Sequence, residues 1–283
     1  VSELALLLDG LRFAEAPRWH DGQLWFSDIF ARRIMTVDEA GHSAVFHQFG
    51  DDVLPCGLGF LPGGDVLVVN MQRPELLRID QGGQVSVHAD LATLATGGLN
   101  DMVVDGAGTA YVGSMGTHGV PEPRPVDADG TIIRVDPDGR ATVAAQALDA
   151  PNGPVLTHDG GTYVVAEFPA ARLAAFDRTA DGSLVNRRIW ADLQPGSADG
   201  ITIDVEGGVW TASPREGYCR RVLEGGRVTD VVDVPGKLPL ACCLGGHDGR
   251  TLFILSAVGT EDDVRQRTNT SVIETTRVSV PGH

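Results

Sequence analysis

The sequence predicts an all-β fold: a six-bladed β-propeller whose four-stranded antiparallel blades surround a central channel, with residues 1–283 as one domain. Three observations predict it. One unit recurs six times, an apolar run, a glycine-containing turn, and a second run rich in β-branched and aromatic residues. The turn glycines Gly22, Gly64, Gly108, Gly160, Gly207 and Gly249 stand 42, 44, 52, 47 and 42 residues apart, the period of a four-stranded blade. No long stretch carries the apolar spacing of an amphipathic helix. A β-sandwich also turns every 8–12 residues or about that, but has no reason to repeat a similar unit six times.

The elements follow in order. His20-Asp21-Gly22 precedes LWFSDI, and Pro62-Gly63-Gly64 precedes VLVVNM. Gly106-Ala107-Gly108 precedes AYVGSM, and His158-Asp159-Gly160 precedes TYVVAE. Val205-Glu206-Gly207 precedes VWTAS, and His247-Asp248-Gly249 precedes LFILSA. In four units a third run ends in aspartate: RIMTVD, LLRID, TIIRVD and RLAAFD. The longest interval holds an insertion, residues 116–130, whose prolines at 121, 123 and 125 make it a stiff loop suited to a lid at one rim. ELALLL near the start and SVIETTRVSV near the end are the candidates for closing the ring, which removes exposed sheet edges.

Charge excludes several roles. There are 22 basic against 38 acidic residues, a net charge of −16, and Lys237 is the one lysine. Such a chain repels phosphate backbones and anionic lipid, so neither nucleic acid nor membrane is an expected partner. No apolar run approaches the ~20 residues of a membrane span. Cys56, Cys219, Cys242 and Cys243 suggest no disulfide framework. With no signal-peptide pattern at the start, the expected location is cytoplasmic. No pattern sets an oligomeric state.

The repeat also aligns chemistry. Eight residues before Gly108, Gly160 and Gly207 stand Asn100, Asn152 and Asp199, and seven before Gly22 stands Glu15. These are equivalent positions at the start of the first strand of four units. In a propeller that strand lines the channel, so the four side chains converge on one axial opening. Two carboxylates and two amides offer only oxygen donors, which suits one hard divalent cation, Ca²⁺ first, with Mg²⁺, Mn²⁺ or Zn²⁺ also able to bind. Asn-Gly and Asp-Gly are also ordinary turn dipeptides, but four sites in phase with a repeat are not explained that way. The matching positions in units two and six, Cys56 and Ala241, are read as pocket wall.

EAPRWHDGQLWFSDI, LNDMVVDGAGTAYVGSMG, PNGPVLTHDGGTYVVAEF, ADGITIDVEGGVWTA and CCLGGHDGRTLFILSA resemble the successive motifs of the SMP-30/gluconolactonase/LRE family, over nearly the whole chain. The resemblance implies a six-bladed propeller with a catalytic divalent metal at the channel mouth. On the matching positions it implies Glu15, Asn152 and Asp199 as ligands, Asn100 as a substrate-holding residue and Asp101 as structural. Two departures from the animal sugar-lactonase pattern stand out. Gly98 replaces an arginine, and no acidic residue follows Gly113-Ser114-Met115 closely. Both missing groups contact sugar hydroxyls, so the expected substrate is less hydroxylated than an aldonolactone.

The expected activity is therefore metal-dependent opening of a lactone ring. The metal polarises the carbonyl, Asp199 takes a proton from the attacking water, Asn100 orients the substrate, and His118 on the insertion meets the leaving oxygen. Three alternatives stay open at this point: a non-catalytic Ca²⁺-binding propeller that serves as an interaction platform, a non-hydrolytic carbonyl reaction at the same metal, and phosphotriester hydrolysis. Other chemistries lack their motifs. There is no G-x-S-x-G elbow and no H-E-x-x-H pair. CGLGFLPGG lacks the spacing of a nucleotide loop, and Cys56 reads as a buried inert thiol before it reads as a nucleophile.

Overall fold

The computed structural model describes residues 3–117 and 128–282. Six four-stranded antiparallel sheets follow one another along the chain, as the repeat predicts. Blade one consists of Ala14–His20, Gln23–Asp28, Arg33–Val37 and Ser43–Gln48. The inner strands of blades two to six are Pro55–Phe60, Leu99–Val104, Pro151–Leu156, Ile201–Ile203 and Leu238–Gly245. Closure is as anticipated. Ala5–Leu11 adds as the outermost strand of blade six, antiparallel to Thr270–Arg277, with Ala5 opposite Thr275 and Leu11 opposite Ser271.

The six marker glycines earn their recurrence by backbone conformation. All six have positive φ, between 66° and 91°, a region that side-chain-bearing residues enter only at a cost. The recurrent aspartates have a matching local reason. Asp38 Oδ1 accepts from the N–H groups of Ala40 and His42, and Asp80 Oδ1 accepts from those of Gly82 and Gln84. Asp105 and Asp204 close the inner hairpins of blades three and five in the same way. Much of the acidity of this chain is therefore turn chemistry.

Middle strands are buried on both faces because each blade is sandwiched between two others, so they read as continuous apolar runs. Alternate side chains serve opposite interfaces. In Thr251–Val258, Phe253 and Leu255 pack with Phe26 and Leu24 of blade one. Leu252 and Ile254 pack with Trp210 and Ala212 of blade five. Equivalent clusters fill the other four blade interfaces. Each large side chain buried there contributes about 1.5–3 kcal/mol before entropy is counted. The packed blades leave the inner strands facing one another across the axis, with their first residues at one common opening.

Candidate active site

The residues at that opening are aimed by a shared backbone irregularity. Each inner strand of blades one, two, three, four and six carries one extra residue against its neighbour, between Glu15 and Arg18, Pro55 and Leu58, Leu99 and Met102, Pro151 and Pro154, and Pro239 and Ala241. Such bulges bend a strand and redirect side chains, commonly beside functional sites. Glu15, Cys56, Asn100 and Asn152 lie at these bulges. Asp199 stands just before the shorter fifth inner strand, its N–H donating to Ala212 O at 3.0 Å. In blade six the register puts Leu240 at the equivalent position, one residue before Ala241.

The next residue in each blade is Ala16, Gly57, Asp101, Gly153, Gly200 and Ala241. These positions pack backbone on backbone. A Cβ on Gly57 would stand 2.8 Å from Met102 N, one on Gly153 2.6 Å from Ile201 N, and one on Gly200 2.4 Å from Ala241 Cβ. None of these three glycines has positive φ, so Asn152-Gly153 and Asp199-Gly200 are close-packing pairs and not turn dipeptides. Ala16 does have positive φ, 51°. That strained conformation lets its N–H reach back to Glu15 Oε2 at 2.9 Å.

Electrostatics then single out two of the acids. Most buried acids in this chain have an arginine: Asp204 pairs with Arg221 at 2.6 Å, Asp28 with Arg33 at 2.8 Å, and Glu167 with Arg172 and Arg187. Glu15 and Asp199 form no ion pair among the described residues. Part of Glu15 stays accessible through the opening, but surrounding protein strips its carboxyl of water and pushes its pKa up to about 8. The Ala16 N–H opposes that rise, the charge of Asp101 adds to it, and Arg18 offsets it weakly. Burial likewise drives Asp199 well above the carboxylate range, the charges of Glu15 and Asp101 push further, and the Asn152 amide opposes by hydrogen-bonding its carboxylate. Two mutually repelling acids with neutral oxygen donors beside them form a set that a divalent cation would satisfy. Among the described residues no three His, Cys, Asp or Glu side chains are grouped to hold a metal, so a ligand set here would draw on amide oxygen as well as on the two carboxylates.

A profile of the SMP-30/Gluconolactonase/LRE-like region matches residues 13–258, which include all four of these positions. The chain belongs to that family. Among relatives, the 6-deoxy-6-sulfogluconolactonase of Pseudomonas putida is 27% identical over 279 residues, covering 95% of this chain and 92% of that protein. Pentonolactonase XacC of Haloferax volcanii is 26% identical over 262 residues, covering 89% and 84%. The solved structure of a luciferin-regenerating enzyme superposes with a TM-score of 0.85 at 19% identity, covering 100% of this chain and 98% of that one.

Within this family member the expected site residues Glu15, Asn100, Asn152 and Asp199 come together at one opening. His118 lies outside the described residues. Cys56, read as wall, touches the site directly: its thiol donates to Asn100 Oδ1 at 3.3 Å. The wall continues into an apolar cluster of Ile29, Leu54 and Cys56 with Phe13, Phe30 and Met71 packed on it. Gly98 faces open space, with nothing within 4 Å of where a Cβ would stand. A cavity of about 570 Å³ lies at the other end of the channel, lined by Arg18, Trp19, Asp105, Leu156, Ile203 and Leu244, away from the two unmatched acids.

Sequence reasoning missed Arg18. Its Nη2 donates to Asp101 Oδ1 at 2.8 Å and to Met102 O, and its Nη1 donates to Pro17 O at 2.7 Å. The available signal was a charged residue on a channel-lining strand, three positions after Glu15.

Proposed function

We propose that this chain hydrolyses lactones with the help of one divalent cation, Ca²⁺ first. The observation that carries the reading is the unmatched pair Glu15 and Asp199, in a chain that gives the other buried acids among its described residues an arginine or a lysine. Glu15, Asn152 and Asp199 would hold the cation. When bound, such an ion supplies Lewis acidity toward the ester carbonyl and toward water. Asp199 accepts the proton of the attacking water with a carboxylate oxygen. Asn100, steadied by Cys56, orients the ester, and Ala16 keeps the Glu15 carboxylate turned into the opening. Water adds to the carbonyl carbon, the ring C–O bond breaks, the proton held by Asp199 passes to the departing ring oxygen, and a hydroxy acid leaves.

The substrate reading follows from the walls. The third-blade side near Asn100 is bare at Gly98, and the side near Cys56 is apolar. This supports a lactone with fewer hydroxyls and an apolar flank. The two relatives named for sugar lactones favour a hydroxylated ring, so the substrate panel must include both kinds. The test is metal analysis of the purified protein followed by assays on aliphatic, aromatic and sugar lactones with and without chelator. Chelator-sensitive turnover of a lactone, fastest on aliphatic or aromatic rings, is the expected result. Cation binding without turnover of any lactone would replace this reading with a non-catalytic platform, and turnover of a phosphotriester alone would replace it with that hydrolysis.

A further inference from the structure

A third carboxylate, Asp101, stands near enough to the axial opening that its charge acts on both Glu15 and Asp199. A ring carrying three negative charges would over-match a divalent ion. Asp101 is the exception in two ways. It occupies the position that is alanine or glycine in every other blade, and it is the one of the three with an arginine. That arginine comes from an unexpected place. Blades one and three are separated by blade two, so the Arg18–Asp101 pair, 83 residues apart in the chain, reaches across the channel instead of along a blade interface. Arg18 also donates to Met102 O, the next residue of the same strand. The side chain thus reaches into the channel from blade one to blade three and also lines the cavity at the far end.

We propose that Arg18 is a positioning residue which, through its ion pair with Asp101, sets the net charge of the axial ring at two negative and so matches it to a divalent cation. The inference rests on the cation reading above and adds to it the group that tunes affinity. The same pair pins the strand that carries Asn100, because Asp101 Oδ1 also accepts the N–H of Met102 at 2.8 Å.

The charges make opposite predictions for the two partners. Arg18→Met leaves an uncompensated carboxylate and tightens cation binding. Asp101→Asn leaves an uncompensated guanidinium and weakens it, by about tenfold or more for one unscreened charge near the site. The double variant removes both charges and returns affinity to near the wild-type value. A purely structural pair would weaken binding in both single variants, so the sign separates the two roles.

The experiment is calorimetric titration of wild type and the three variants with Ca²⁺ at one fixed, mildly alkaline pH. Metal-free melting temperatures read the structural part separately. Opposite shifts, cancelled in the double variant, are the expected result. Equal affinities, or weakening in both single variants, overturn the role of Arg18. Absence of any divalent cation binding by the wild type overturns the cation reading and this inference with it. If Arg18→Met does not fold, Asp101→Asn and the double variant still decide, since weakening that the second substitution fails to reverse also overturns it.

Discussion

The thiol of Cys56 donates to Asn100 Oδ1 at 3.3 Å, joining blade two to blade three at the axial opening. Burial, with the charges of Glu15 and Asp101 nearby, pushes that thiol well above its ordinary range. It therefore stays protonated and acts as a hydrogen-bond donor, not as a nucleophile. All four cysteines are buried and unpaired with one another. Iodoacetamide should leave the native protein unmodified and label four thiols after unfolding. Cys56→Ser should keep activity within about twofold, since a hydroxyl donates equally well. Cys56→Ala should raise KM several-fold by releasing the amide, a loss of about 1 kcal/mol. Rapid labelling of native Cys56 would contradict the buried-donor role.

Asp199→Asn separates charge from shape. The amide fills the same volume but can neither take a proton nor help balance a cation. Lactone turnover should fall by about 10²–10⁴-fold, the usual worth of a positioned general base. The metal-free variant should melt at the same temperature as the wild type or higher, because a neutral amide replaces a carboxyl whose ionisation burial already opposes. A turnover assay and a melt in chelator check both halves. Full activity in this variant would remove Asp199 from its assigned role.

The pH dependence of the metal-free protein has a definite sign. Folded Glu15 keeps its proton up to about pH 8, while the unfolded chain releases it near 4.5. Between those values the folded state binds more protons, so stability falls as pH rises. Asp199 acts in the same direction. Acids held down by turn hydrogen bonds or by Arg277, such as Asp38 and Asp248, act oppositely below the ordinary carboxylate range, and His47 and His88, whose imidazoles burial holds below their usual pKa, oppose the two raised carboxyls in the acid part of the window. Urea midpoints in chelator should therefore decline across the window from 4.5 to about 8, and saturating Ca²⁺ should flatten the decline. Midpoints that climb with pH in chelator would contradict the arrangement of acids.

These expectations differ in how far the sequence alone leads to them. The blades are legible because one backbone requirement, positive φ at Gly22, Gly64 and their equivalents, forces glycine at a fixed phase of every unit. The candidate site residues are legible for the same reason, since an equivalent position in each unit is an equivalent height along the axis. The bulges are not, because one extra residue leaves no composition signal: blade one carries it with Glu15 seven residues before its glycine, and blade three carries it with Asn100 eight before. The Arg18–Asp101 pair was invisible because it depends on how a closed ring brings non-neighbouring blades together. Asp101 looked structural from its motif, and the structure gives it a partner 83 residues away.

The glycines near the opening divide into two kinds, and substitution should tell them apart. Gly153→Ala puts a methyl 2.6 Å from Ile201 N and 2.7 Å from Gly200 Cα, both backbone atoms that cannot move without parting blades four and five. It should cost about 1–3 kcal/mol and lower the melting temperature by roughly 3–10 °C. Gly98→Ala meets nothing within 4 Å and should change stability by less than about 0.5 kcal/mol. Gly98→Arg uses that open space to place hydrogen-bond donors beside Asn100. It should leave the melting temperature nearly unchanged and raise kcat/KM on sugar lactones relative to aliphatic ones by several-fold, the worth of one new hydrogen bond to a hydroxyl. An unchanged ratio in a folded Gly98→Arg protein would mean that the bare wall does not select substrate, and the apolar side at Phe13, Phe30 and Met71 would then carry that selection.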